Sequence, residues 1–297
     1  MRSGGQPGSV AVISSHVARG AVGNRAAVFA IETLGHPVIA VPTVLLPWHP
    51  GHGPATRIVQ EDKLFAGFMA DLAHGPFAGE IDAVLSGYLG DAGQAEAIAA
   101  SVAALRAARP DLVYACDPVI GDESGLYVPE TTARAIAGTL VPKADLATPN
   151  RFELAWLSGR LLDDNDALID AARALGTPVV LVTSAFATRP GMTGNLLVLP
   201  QTAHLAEHAA IDRAPNGTGD LTAALFLAHL VNGCTYPDAL RRATASVHDV
   251  LTRTRARGAD ELTLAADAAL LSEPVSDIPV RQVGRQSEDT TTGGRAT

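Results

Sequence analysis

The 297-residue sequence predicts an α/β domain with a mostly parallel central sheet and helices on both faces. Three observations predict it. Short β-rich runs alternate with longer Ala/Leu-rich segments whose apolar residues recur at three- and four-residue spacing. Most of the leading β-rich runs are nearly continuous in apolar residues, the pattern of strands covered on both faces. The chain is 47% apolar, long enough to bury one large core, and no linker divides it.

The elements follow in order. VAVISS (10–15) opens the sheet and NRAAVFAIETLG (24–35) returns as a helix. PVIAVP (37–42) is the next strand, followed by the loop TVLLPWHPGHG (43–53) and a helix over about 57–74. DAVLSG (82–87) precedes a helix over about 91–108, and LVYACD (112–117) one over about 130–139. ADLATP (144–149) runs into helices over 151–159 and about 164–175, and PVVLVTS (178–184) follows them. NLLVLP (195–200) and AHLAEH (203–208) are close together, which favours an antiparallel pairing at one edge. From Gly219 to about Leu271 the chain reads as helical, with breaks at NGCTYP (232–237) and RARGAD (255–260). Residues 1–8 and 275–297 are rich in Gly, Ser, Thr and charge and read as disordered ends of a single domain spanning 9–274.

Composition excludes several chemistries. Only Lys63 and Lys143 are lysines among 22 basic residues, and neither sits in a glycine-rich loop. A G-x-x-x-x-G-K-[ST] phosphate loop is absent, and lysine Schiff-base catalysis is disfavoured, with Lys143 left open by spacing alone. The net charge of −9 with 4% aromatic residues argues against nucleic acid as a partner. Cys116 and Cys234 lie far apart in apolar surroundings, which fits core filling in a reducing compartment. No apolar run approaches the ~18 residues of a membrane span, and the opening MRSGGQPGS is polar. These totals predict a cytoplasmic protein that handles something small.

In a doubly wound sheet, ligands bind beyond the carboxyl ends of the strands. There the sequence places Ser15-His16, Gly87-Tyr88, Asp117-Pro118, Asn150 and Thr183-Ser184. The sharpest local signal is APNGTGD (214–220), running into LTAALFLAHLV. Gly217, Thr218 and Gly219 can present unpaired backbone amides to an anion, and Asp220 would stand beside it as a base. The competing reading is an ordinary helix start. An apolar surface on all sides of the following helix implies burial and favours the anion site.

In CDPVIGDESG (116–125), Asp117 and Asp122 are hard oxygen donors that suit Mg²⁺, or else an Asp-Pro turn and a solvated charge. In TPNRFE (148–153), Asn150 and Glu153 have capping-box spacing, which needs no function, and Glu153 could also reach a metal shell or phosphate waters. His204 and His208 fall on a strand, where their spacing makes no tight zinc site, and His229 and His248 lie within helices.

Taken together, SSHVARGAVGNRAA (14–27), SGYLG (86–90), LVYACDPVIGD (112–122), YVPE (127–130), ADLATPNRFELAWLSGR (144–160), VLVTS (180–184) and NGTGDLTAAL (216–225) resemble the pyridoxal kinases of the ribokinase-like superfamily. The resemblance covers about residues 10–272 in matching order. It implies a three-layer ribokinase-like sandwich, ATP-dependent phosphorylation of the 5′-hydroxymethyl group of pyridoxal and related B6 vitamers, and a homodimer. By that similarity Asp220 is the base and the Gly217–Gly219 amides form the anion hole. Asp117, Asp122, Thr148, Asn150, Glu153, Thr183 and Ser184 fall on the ATP, Mg²⁺ and monovalent-cation (K⁺) side, with Asp117 and Glu153 toward the metal, in part through water. Ser15 and Tyr88 would hold the pyridine ring, and His49 the closing loop. The loop departs from the family pattern at Pro50, where a hydroxyl is expected. Two rival readings are a hydroxymethylpyrimidine or other small-alcohol kinase on the same fold, and a catalytically silent B6 carrier.

Overall fold

The computed structural model describes residues 8–284. In chain order these form β1 (Ser9–Arg19), α1 (Asn24–Thr33), β2 (Val38–Trp48), α2 (Asp62–His74), β3 (Ile81–Ser86), α3 (Gly93–Ala108), β4 (Val113–Cys116) and a small hairpin of β5 (Gly121–Asp122) and β6 (Gly125–Leu126). Next come α4 (Glu130–Ala135), β7 (Leu146–Ala147), α5 (Arg151–Ser158), α6 (Asn165–Ala174), β8 (Val179–Ala185), β9 (Met192–Val198) and β10 (Ala203–Ala209). The C-terminal part holds α7 (Thr218–Val231), α8 (Tyr236–Ala256), α9 (Ala269–Ser272) and β11 (Val280–Val283). Nine strands make one sheet in the order β11-β10-β9-β8-β7-β4-β3-β1-β2. Pairing is parallel from β2 through β8 and antiparallel from β8 to β11.

The alternation of strand side chains builds the layers. Val10 and Val12 join Leu85 and Leu181 under α1, α7 and α8 on one face. Ala11 and Ile13 turn to the other face and pack with Val84, Tyr114, Phe65 and Ile98 under α2 and α3. Val180, Val182 and Leu196 extend that second face under α5 and α6. Residues 221–229 of α7 are all buried, as its apolar surface on all sides requires.

Several boundaries differ from the sequence pattern. β1 and β2 run on to Arg19 and Trp48, with a register shift between Ser14 and His16, so Ser15 lies within a strand instead of after one. The helix expected from about 57 begins at Asp62, because Ile58 bridges Leu45 and the Arg57 guanidinium bonds the Gly90 carbonyl. β7 is two residues long, though the Asp145 and Thr148 N–H groups extend its bonding to Tyr114 and Cys116.

The disordered tail expected from 275 is corrected for residues 275–284. Ile278 is buried, and β11 pairs Val280 with Ala206 and Val283 with Ala203. β10 would otherwise present an unpaired edge, and three or four residues of local pattern are too few to announce the strand that covers it. The expected disorder at 1–7 and 285–297 lies outside the described residues.

Phe226 is fully buried in α7 between the sheet and its neighbours. Phe226→Ala is expected to lower the urea-unfolding free energy by about 3–5 kcal/mol. A loss below about 1 kcal/mol would show that α7 does not anchor the core.

Candidate active site

Strand order reverses at β1, which pairs with β2 on one side and β3 on the other. Helices leave the sheet in opposite directions at such a point, and a crevice opens beyond the carboxyl ends. Ser14, Gly87, Asp117 and Asp220 line it, above Val12 and Leu85.

Asp117 follows β4. Its N–H donates to the Ser86 carbonyl at 2.8 Å, and the Thr148 hydroxyl donates to its Oδ1 at 2.7 Å. Burial, with the Asp220 charge adding to it, pushes the Asp117 carboxyl up to about 7, while Thr148 pulls it back. Asp220 closes the first turn of α7 and is pushed up to about 6 by burial, against the Gly23 N–H that donates to it. Glu153 is buried and held well above the usual carboxylate range by desolvation and by Asp117. Its Oε1 accepts from the Ile120 N–H at 3.0 Å and its Oε2 from the Asn150 N–H at 2.9 Å. The Asn150 side chain accepts from the Glu153 N–H at 2.9 Å, so the capping box is formed by the same residue that faces Asp117.

Two glycines set the backbone of this end. Gly217 starts α7 at φ +94°, and a Cβ there would stand 2.1 Å from the Ala21 carbonyl oxygen. Gly23 has φ +54°, and its Cβ would stand 2.3 Å from the Ser15 hydroxyl oxygen. The turn at 20–23 is thus wedged between β1 and the start of α7, which is how its amide reaches Asp220.

A loop with a short turn over 50–52 follows β2. His49 accepts the Gly51 N–H at Nδ1 (3.0 Å) in a short turn over 50–52, where Pro50 occupies the first position and supplies the φ the turn needs. The Asn216 side-chain amide lies 3.2 Å from the same Nδ1, joining this loop to the segment before α7. Burial lowers the His49 pKa, opposed by Glu261 and helped by His52. Tyr88 is fixed through its backbone, its N–H donating to the Ser14 hydroxyl (3.1 Å) and its carbonyl accepting from Thr43 (2.7 Å).

The structure brings Ser15, His49, Tyr88, Asp117, Thr148, Asn150, Glu153 and Gly217–Asp220 to this end of the sheet. Thr183 is tied to it through its N–H to the Pro149 carbonyl at 2.9 Å, and Ser184 next to it is exposed at φ +57°. Of the residues expected from sequence, Asp117 and Asp220 line the crevice itself, and Asp122 does not. Its carboxylate accepts from the Ser124 N–H at 2.7 Å inside the β5–β6 hairpin, and that hydroxyl and Tyr127 hold its pKa down against burial. Lys143 stands at the opposite end of the sheet, before β7. Lys63 opens α2 beside the start of α3, at the crevice end, but is exposed. Gly23 and Asn216 join this end of the sheet without being singled out by the motifs that contain them. A glycine before a helix start and an Asn before GTGD were the available signals.

A parallel sheet whose reversal point gathers a helix-start GTGD, a strand-end Asp and a capped Glu defines a small-molecule kinase of the ribokinase-like fold. The comparisons narrow the class. Residues 69–264 match the family model described as phosphomethylpyrimidine kinase. The chain is 39% identical to the pyridoxal kinase PdxY of Leifsonia xyli, over 92% of this chain and 98% of that protein. It is 42% identical to a pyridoxine/pyridoxal/pyridoxamine kinase of Bordetella bronchiseptica, over 87% and 94%. The structure of the Leishmania donovani pyridoxal kinase in complex with ADP and pyridoxamine superposes with a TM-score of 0.87 at 31% identity, covering 93% of this chain and 99% of that one. The chain belongs to the pyridoxal kinase family.

The raised carboxyl of Asp117 yields a stability prediction. A carboxyl whose pKa rises on folding binds its proton more tightly in the native state, so its penalty is absent below the unfolded value near ~4 and complete above about 7. Asp117→Asn keeps an acceptor for Thr148 and removes the charge. Measured by urea unfolding in chelator, it is expected to add about 1–3 kcal/mol at pH 8 and nothing near pH 4. A gain of the same size at both pH values would contradict the assignment.

Proposed function

We propose that this protein transfers the γ-phosphoryl group of ATP to the 5′-hydroxymethyl group of pyridoxal and related B6 vitamers, producing pyridoxal 5′-phosphate. The observation that carries this reading is Asp220, placed in a crevice at the start of a buried helix and held there by the Gly23 amide. At about 6 its carboxyl is largely ionised at neutral pH and still basic enough to accept the hydroxyl proton. The first-turn amides at 217–219 have no partner within the helix, and with the helix dipole they stabilise charge on the phosphoryl oxygens.

Ser15 and Tyr88 orient the pyridine ring, and His49 covers it from the loop. Thr148, Asn150, Thr183 and Ser184 face the nucleotide, and Asp122 contributes indirectly by shaping the hairpin beside it. Asp117 offers a buried carboxylate suited to Mg²⁺, whereas both Glu153 oxygens are committed to backbone N–H groups and would reach the metal through water. When bound, Mg²⁺ neutralises phosphate charge. A homodimer and a cytoplasmic setting belong to the same proposal. Leu64 and Phe68, exposed one turn apart on α2, supply an apolar contact surface, and both cysteines are free thiols. Among the described residues no helix is long and apolar enough to cross a membrane.

ATP consumption measured with pyridoxal, pyridoxine and hydroxymethylpyrimidine tests the substrate, with pyridoxal expected to give the highest kcat/KM. A large preference for the pyrimidine would overturn it. Asp220→Ala is expected to lower kcat by about 10³-fold with ATP affinity nearly unchanged, as loss of a base requires. Near-wild-type turnover would remove Asp220 from its role.

Phosphate neutralisation here uses amides and metal and needs no lysine. The Lys63→Arg/Lys143→Arg double variant is therefore expected to keep kcat/KM within about threefold. A dead double variant would show that an ammonium takes part.

A further inference from the structure

Glu261 lies in the loop after α8, more than 200 positions from both segments it touches. Its side chain is only 14% exposed. Oε2 accepts the Ala21 N–H at 3.1 Å, and Oε1 stands 2.8 Å from His52 Nε2 and 3.7 Å from the Arg19 guanidinium. Neither contact is incidental to the site. Ala21 belongs to the turn whose carbonyl lies against Gly217 and whose Gly23 amide holds Asp220. His52 closes the short turn opened by His49, its N–H donating to the His49 carbonyl at 2.9 Å.

We propose that Glu261 is a positioning residue for the kinase reaction, a single carboxylate that ties the substrate loop to the turn holding the catalytic base. The substrate loop is then fastened at two points, His49 to Asn216 and His52 to Glu261. Its two acceptor oxygens let one carboxylate serve two unrelated segments at once. The neighbouring Arg19–Asp260 pair, with contacts of 2.8 and 2.9 Å, is largely exposed and adds little stability. Misplacing either segment by an ångström alters a different kinetic constant: the loop governs pyridoxal binding, and the turn governs the base.

The inference rests on the pyridoxal kinase reading. Its test is steady-state kinetics with pyridoxal varied at saturating ATP, in wild type, Asp220→Ala, His52→Ala, Glu261→Ala and Glu261→Gln. His52→Ala is expected to raise KM for pyridoxal about fivefold with kcat within twofold. Glu261→Ala is expected to raise KM similarly and to lower kcat about tenfold, because the turn is released as well. Glu261→Gln keeps an amide oxygen for the Ala21 N–H and should restore kcat to within about threefold of wild type. Adding His52→Ala to Glu261→Ala should leave KM unchanged, since that link is already cut.

Wild-type constants in Glu261→Ala overturn the proposal, as does an equal loss of kcat in the Gln and Ala variants. If Glu261→Ala fails to fold, the split between His52→Ala and Glu261→Gln decides: a raised KM in the first with preserved kcat in both supports the tie, and unchanged KM in the first removes it. Failure of the wild type to phosphorylate pyridoxal, or full activity in Asp220→Ala, strikes the underlying reading instead.

Discussion

Two carboxylates, Asp117 and Asp220, desolvated in one crevice, are the constraint around which this end of the sheet is built. Each group is raised toward neutrality by burial, and Asp117 is raised further by the charge of Asp220. Holding them together needs opposing interactions on every side, and the fold supplies them. Thr148 donates to Asp117, Gly23 donates to Asp220, and three backbone amides face Glu153 behind them. A cationic group entering such a site would meet charge already arranged for it.

The sheet makes this convergence possible. Because β1 has β2 on one side and β3 on the other, the helices that follow leave in opposite senses, and the segments 20–23, 87–88 and 117–118 end at one mouth. α7 then enters from the far end of the chain. Its buried body fixes the height of its first turn, and Gly217 lets that turn come to within backbone contact of Ala21. Packing in the core therefore sets the distance between Asp220 and its neighbours, and core and crevice are not separate compartments.

Much of this was legible in the residues. Alternating runs marked the strands, the apolar surface of 221–229 marked a buried helix, and Asn150 with Glu153 marked a capping box that the structure forms. Where local pattern misled, a nonlocal partner was the reason. β1 and β2 extend past their apolar runs because they pair with each other as far as Arg19 and Trp48, and Val280–Val283 becomes a strand because β10 has an edge to cover. Asp122 and Asp117 looked alike in sequence, yet one turned into its own hairpin and the other toward α7.

The sequence by itself determined the class of fold, the helix start at GTGD and the lack of a G-x-x-x-x-G-K-[ST] motif, because periodicity, caps and composition act over a few residues and need no partner. Only the tertiary structure decided which carboxylates meet, that Pro50 sets a turn which His49 and Asn216 bridge, and that Glu261 reaches both the loop after β2 and the turn beside Asp220. Those are contacts between segments tens to hundreds of residues apart. They follow from strand order and helix packing, quantities that no local window of sequence contains.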